Sequence, residues 1–472
     1  MELKNIKEIR FINSVYFILL NILSIYFGKY RCVFFDGADW IYEIIAHKNN
    51  YFPHFRFAVA INGILPWIVC HFTTSMNYIV WSFIINYMLI PVLLFLYLRY
   101  FIKDEKLVLL FLISTSLFYT TTFFHPNHDI FCGYFYIIIL YSILQNREKF
   151  KRYFSALCIT LIFLIAFTNI IQLLSFMLIL IYLKIRTEKS DKFNLLFASA
   201  IVFAFLKTVV FSSGYEKGVM SNVLDFKSRF SAIFTSSLFS SYLDSLFNIN
   251  IAATFVFLIT IYAVIKAKQP ILILLVISEF LGIVLFTSFF FGYYPYCFGT
   301  EGYIKTASVL ISIVFIDYYI LRDSYAANKR TMAVAIIYTT TFFFIIINGI
   351  NYKRYYTNIN NIARTLNQNT VFISDSIYKG EHFYILPRES AIINLLENNR
   401  CYFFAYSKDS ASWKNQTFPT DLHETAFCFR QGYIFKQADD NIKQTLNSEY
   451  NLIFELTNSK RWNNTPYIKQ DK

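Results

Sequence analysis

The sequence predicts an α-helical polytopic membrane protein with about 11 transmembrane helices, followed by a small C-terminal α/β domain. Three observations predict it. Charged residues make up 15% of the chain and hydrophobic residues 56%, where a soluble domain carries about 25% charged residues. Apolar runs close to 20 residues long recur between residues 11 and 350, the length that spans a bilayer core. Past residue 350 the composition turns polar, and strand and helix signals alternate.

The first span covers residues 11–27. Its basic start, MELKNIKEIR, leads into the apolar run without a small-residue cleavage site, which predicts an uncleaved first helix. Lys4, Lys7 and Arg10 place that start in the cytoplasm. Residues 29–77 then form a long outer segment. Within it, FFDGADWIYEIIAHK begins an amphipathic helix with Trp40, Ile41, Ile44 and Ile45 on its apolar face. Residues 57–74 are apolar but interrupted by Asn62, Gly63 and Pro66, which predicts an interfacial or re-entrant helix, with a true span as the alternative. Spans follow at 78–98, 107–124 and 130–144. The run 153–184 is too long for one helix across a bilayer. Thr168 and Asn169 near its middle predict two short helices turning there. Further spans cover 193–211, 251–265, 271–291, 306–321 and 332–350.

The basic clusters fix the orientation. Arg99, Lys103 and Lys106 form one cluster; Arg147, Lys149, Lys151 and Arg152 a second; Lys184, Arg186, Lys189 and Lys192 a third. Lys266 and Lys268, then Arg322, Lys329 and Arg330, complete the set. All fall on the side of the N-terminus if 57–74 does not cross, as the positive-inside rule requires. The chain then divides into a transmembrane domain, 1–350, and an extracytoplasmic domain, 351–472. The net charge of +13 is explained by these clusters, so no nucleic-acid partner is expected. The tail reads as strand (VFISDS), helix (389–397), strand (CYFFAY), helix (440–448) and strand (NLIFEL). Seven cysteines show no metal-binding spacing. Cys401 and Cys428, in a compartment that permits disulfides, are candidates for a bridge.

Acids at the edge of hydrocarbon are expensive unless they act. Asp36 and Asp39 lie three residues apart at the outer surface, and Asp129 opens a later span within HPNHD. Such carboxylates suit Mg²⁺ or Mn²⁺, with Asp36 and Asp129 as the candidate ligands. A single one can instead serve as general base for a hydroxyl. The plainer alternative is a helix cap and first-turn acid. His128 flanks Asp129, but two histidines three apart lack the further ligands a zinc site needs. Outer cations include His54, Arg56 and Lys305. Lys305 stands where the aromatic loop GYYPYCFGTEGY, with Tyr303, re-enters the membrane, and is placed to hold a lipid phosphate.

This layout resembles the GT-C superfamily of integral-membrane glycosyltransferases. An acidic motif follows the first span (FFDGADWIYEIIAH), then comes a Pro-containing membrane-associated helix (NGILPWI). A second acid opens a later span (HPNHD), and a short-helix hairpin turns at a polar spot (AFTNIIQLL). The resemblance implies sugar transfer from a polyprenyl-phosphate donor on the extracytoplasmic face of the inner (plasma) membrane. The acceptor would be a cell-envelope glycan, a lipid or a protein. It implies Asp36, Asp39 and Asp129 as catalytic acids and His128, Lys305, Tyr303, Arg56 and His54 as substrate contacts. Here Gly37 stands where many members have a second adjacent acid. A transporter or flippase of lipid-linked glycans, or a glycan polymerase, is the alternative; Lys207 and Glu279 are the ionisable groups the spans offer to a transport path.

Overall fold

The computed structural model describes residues 2–34, 36–47, 50, 55–73, 75–124, 129–187, 191–214, 216–217, 251–291, 308–322, 325–365, 370–373, 386–398 and 403–406. Packing divides the chain into two units. The first comprises 1–25, 52–62 and 87–347, the second 26–51, 63–86 and 348–472.

The helices are α1 (Glu2–Tyr26), α2 (Gly28–Cys32), α3 (Asp36–His47), α4 (Ile64–Val69), α5 (Met76–Leu96), α6 (Glu105–Thr122), α7 (Asp129–Gln145), α8 (Phe154–Ala166), α9 (Ile170–Thr187) and α10 (Asp191–Phe205). Then come α11 (Ile251–Lys266), α12 (Pro270–Phe291), α13 (Ser308–Phe315), α14 (Ala327–Thr365) and α15 (Leu386–Asn398), with strands β1 (Thr370–Ile373) and β2 (Phe403–Tyr406) on either side of α15. Four stretches are long and apolar enough to cross a membrane: Ile9–Tyr26, Met76–Ile102, Phe193–Val210 and Ala327–Asn361. Shorter apolar helices lie between them, among them Phe131–Gln145, Phe154–Ala166 and Pro270–Gly282. This is the make-up of a helical membrane protein.

In the first unit α6 is buried along almost its whole length, as a helix apolar on every side must be. Asp104 caps it, accepting from the amides of Lys106 and Leu107 at 2.9 and 3.3 Å. The hydroxyls of Thr115, Ser116 and Thr122 return to carbonyls one turn back, each at 2.6 Å. No polar group of theirs is thereby left bare in an apolar core. Helices α7 and α13 pack against α6, and Tyr16 of α1 stacks on Tyr338 of α14 at 3.7 Å.

The long run at 153–184 breaks at the two polar residues. α8 ends at Ala166, and the Asn169 side chain accepts from the Ile171 amide at 3.1 Å, capping α9. Gly133 of α7 lies against this turn: a Cβ there would meet Thr168 Oγ1 at 2.6 Å. Residues 57–74 do not form a long helix. A 3-10 stretch, Phe57–Gly63, runs into α4, which carries Pro66 in its first turn, where proline is tolerated. The 3-10 stretch rises about 14 Å and α4 about 9 Å, each short of the roughly 30 Å hydrocarbon core.

Three helices end, within the first unit, in a widened π turn: α5 at Tyr97–Ile102, α10 at Leu206–Val210 and α13 at Ile316–Ile320. Each turn carries one buried charge: Arg99, Lys207 and Asp317.

In the second unit α3 packs against α2, α4 and α15. Its apolar face is Trp40, Ile41, Ile44 and Ile45, all buried, the set that the helical period predicts. Phe34 is enclosed by Tyr352, Tyr355 and Tyr356, with ring centroids at 5.2, 5.1 and 6.5 Å. β1 and β2 pair in parallel, Thr370 opposite Phe403. α15 between them buries Ile392, Ile393 and Leu396. The tail segments 440–448 and NLIFEL lie outside the described residues, as do Cys401 and Cys428.

Candidate functional site

Asp36 and Asp129 are each the first residue of a helix, α3 and α7. Oriented amides at a helix start favour a carboxylate there. Asp39 falls in the first turn of α3. The side chains of these three acids lie outside the described part of the structure, as do all of His54, His128, Tyr303 and Lys305.

In the first unit the start of α7 is tied to the segment that follows Arg56. Cys132 Sγ donates to Asn62 Oδ1 at 3.2 Å, and Tyr136 Oη donates to the Ala58 carbonyl at 2.9 Å. Phe57 stacks on Phe167 at 4.7 Å and meets Phe211 edge-on at 6.3 Å. The beginning of α7, the α8–α9 turn, the 3-10 stretch and the end of α10 therefore converge.

Arg56 is the one substrate contact predicted from sequence whose side chain is described. Its Nε lies 3.4 Å from Glu216 Oε1. The same carboxylate receives Lys207 Nζ at 2.9 and 2.8 Å on its two oxygens. Lys207 also donates to the Phe211 carbonyl at 3.3 Å, which gives all three ammonium hydrogens an acceptor. Glu216 is aimed by a capping box: its backbone N–H donates to Ser213 Oγ at 3.2 Å, and the Ser213 amide donates to Glu216 Oε2 at 3.1 Å. Two cations thus share one carboxylate, and the cluster carries a net positive charge beside an aromatic wall of Phe55, Phe57 and Phe211.

This corrects the expectation for Lys207. It does not stand at the middle of a span facing a path; it sits in the π turn that ends α10 and is ion-paired. The Ser-Gly-Tyr-Glu spacing of 213–216 was a legible signal for Glu216, since Ser/Thr-x-x-Glu is the capping-box pattern.

No family model, characterised protein or solved structure matches this chain. The site is therefore read from its own residues.

In the second unit the glycine between the two leading acids has a steric reason. A Cβ on Gly37 would stand 2.4 Å from the Cys32 carbonyl oxygen. The Gly37 amide donates to the Phe34 carbonyl at 3.0 Å, which fixes the entry into α3. Cys32 is buried, and burial pushes its thiol up to about 12, with Arg31 opposing. α15 grips the end of α14 through two carboxylates. Glu397 accepts from Tyr356 Oη at 2.6 Å and pairs with Lys29 at 3.2 Å, while Glu389 accepts from Tyr355 Oη at 2.9 Å.

Proposed function

We propose that this chain is a membrane glycosyltransferase that moves a sugar from a polyprenyl-phosphate donor to a cell-envelope glycan, lipid or protein on the extracytoplasmic face. The observation that carries the reading is in the first unit. Arg56 and Lys207 leave a net positive charge on Glu216, and hydrogen bonds from Cys132 and Tyr136 join the segment after Arg56 to the helix that Asp129 opens. A lipid phosphate needs cations, an apolar wall for its chain, and an acid close to the transfer chemistry.

In this reading the acceptor hydroxyl attacks the anomeric carbon while the bond from that carbon to the phosphate oxygen breaks. Asp36 takes the hydroxyl proton as general base. Asp39 supports it from the first turn of the same helix, and Asp129 orients the second reactant. Arg56, with Lys305, stabilises the charge that grows on the leaving phosphate. His54, His128 and Tyr303 are substrate contacts in the same proposal. The proposed architecture has about 11 crossings, a cytoplasmic N-terminus and an extracytoplasmic α/β tail over 351–472.

The experiment is glycan analysis of membranes carrying Asp36→Asn or Asp129→Asn at normal protein level. Asn caps a helix as well as Asp does but cannot accept a proton at neutral pH. Loss of transfer is the expected result. Wild-type glycan made at the wild-type rate by both variants would remove the reading.

A further inference from the structure

One acid in the interior of the first unit has no part in that chemistry. Glu279 is the tenth residue of the 22-residue α12 and is 2% exposed. At 1.5 Å per residue it lies roughly 14 Å from the start of its helix and about 18 Å from the end. Ser175 Oγ of α9 donates to its Oε1, and its Oε2 has no hydrogen-bond partner. Among the described residues no Lys, Arg or His forms an ion pair with it.

Among the described residues, the helices packed most extensively against α12 are α9 and α11. The charged groups on α9 are Lys184 and Arg186, in its last turn, about 14 and 16 Å along the helix from Ser175. Arg186 is bound to Asp317. On α11 the charged group is Lys266, also in the last turn, where it lies over the Tyr325 ring at 4.5 Å. Lys266 precedes the start of α12, which lies roughly 14 Å along that helix from Glu279. The remaining titratable groups on these helices are Tyr182, which donates to Asp317, and Tyr262, which is exposed. α12 itself carries no other ionisable residue.

A carboxylate at this depth would carry a large desolvation penalty, with no cation among the described residues to offset it. A bound metal ion is not the answer, because the site offers one carboxyl and one hydroxyl where hard cations take about six oxygens. The smallest cation needs only these two groups. We propose that Glu279 is a proton-binding site within the membrane: at neutral pH it is a neutral carboxylic acid, with its proton on Oε2 and the Ser175 hydroxyl donating to the carbonyl oxygen Oε1, a bond that joins α12 to α9. The step is the addition of one solvent proton to one carboxylate oxygen. No other bond changes.

The test is infrared spectroscopy of the purified full chain in lipid at pH 7, in H₂O and D₂O. A protonated carboxyl has a C=O stretch above the amide and carboxylate bands that moves down in D₂O. That band is expected in the wild type, absent in Glu279→Gln and displaced in Ser175→Ala, which removes the hydrogen-bond partner at small volume change. If Glu279→Gln fails to fold, the Ser175→Ala displacement alone decides. A wild-type spectrum without the band, or a band that neither substitution alters, overturns the proposal. The readout does not depend on sugar transfer, so its outcome is separate from that of the acid variants.

Discussion

Lys207 Nζ lies within 2.9 Å of both carboxylate oxygens of Glu216, and the lysine is buried in the π turn that ends α10. The pair is oriented from both sides. The π turn directs the lysine, and the Ser213 capping box directs the acid. Removing one partner of a buried pair leaves the other charge uncompensated, which costs about 3 kcal/mol or more. Glu216→Gln is therefore expected to lower the unfolding temperature in detergent more than the double variant Glu216→Gln, Lys207→Met does. A double variant that is no more stable than the single one would show that the pair is not what holds the end of α10.

Asp317 is a second buried ion, with a different pair of partners. Lys106 Nζ approaches its Oδ1 at 2.6 Å, Arg186 reaches Oδ2, and Tyr182 Oη donates to Oδ2 at 2.6 Å. These residues belong to α6, α9 and the π turn after α13, so one carboxylate ties three helices. Asp317→Asn is expected to destabilise by roughly 3–5 kcal/mol, the range for breaking a buried pair. Tyr182→Phe, which removes one hydrogen bond to a charged group, is expected to cost about 2 kcal/mol. Thermal unfolding of both variants checks the order.

What the sequence made legible here follows from what is local. The α8–α9 turn is written in Thr168 and Asn169, the only polar pair in a long apolar run. The buried face of α3 follows from the spacing of Trp40, Ile41, Ile44 and Ile45, and the β1–α15–β2 order from short apolar runs around a helical one. The charged π turns were not legible. Arg99 near a helix end looks the same as a lysine or arginine that snorkels to the interface, and Asp317 in IDYYI matches no pattern. Each is explained by a partner remote in sequence. Arg99 binds Ser14, the Arg10 carbonyl and Glu105; Asp317 binds residues 131 and 135 positions earlier. Periodicity reports which face is apolar, not which charge meets which. Arg56 shows the same limit: the capping-box spacing marks Glu216, but not the cation it meets.

Gly37 makes a prediction whose sign opposes helix propensity. In a solvated helix Gly→Ala gains about 1 kcal/mol. Here the added methyl would meet backbone at Cys32, so Gly37→Ala is expected to destabilise by roughly 1–3 kcal/mol through overpacking. Cys32 supplies the readout. Buried, with its thiol pushed up to about 12, it should resist maleimide at pH 7.5 in the folded wild type and react once the protein is denatured. In Gly37→Ala the displaced start of α3 should make it react without denaturant. Equal protection in the two proteins would mean that the first turn of α3 tolerates a side chain there.

Orientation in the membrane is proposed from charge, and several of the basic residues also meet within the first unit. Arg10 pairs with Glu105 at 3.2 Å, and Arg99 donates to the Arg10 carbonyl at 3.1 Å. Lys106 and Arg186 meet on Asp317, and Lys149 donates to the Ile102 carbonyl. The N-terminal helix and the segments around 99–106, 149, 186 and 317 are thus held together at one end. A fluorescent reporter that folds only in the cytoplasm is expected to be active when fused after Ile102 or Asn146. A phosphatase active only outside is expected to work when fused after Ile350, because α14 starts beyond Arg322 and carries a run long enough to cross. Cytoplasmic activity at Ile350 would invert the orientation and put the acids at the starts of α3 and α7 on the face where no polyprenyl-phosphate sugar is proposed to react.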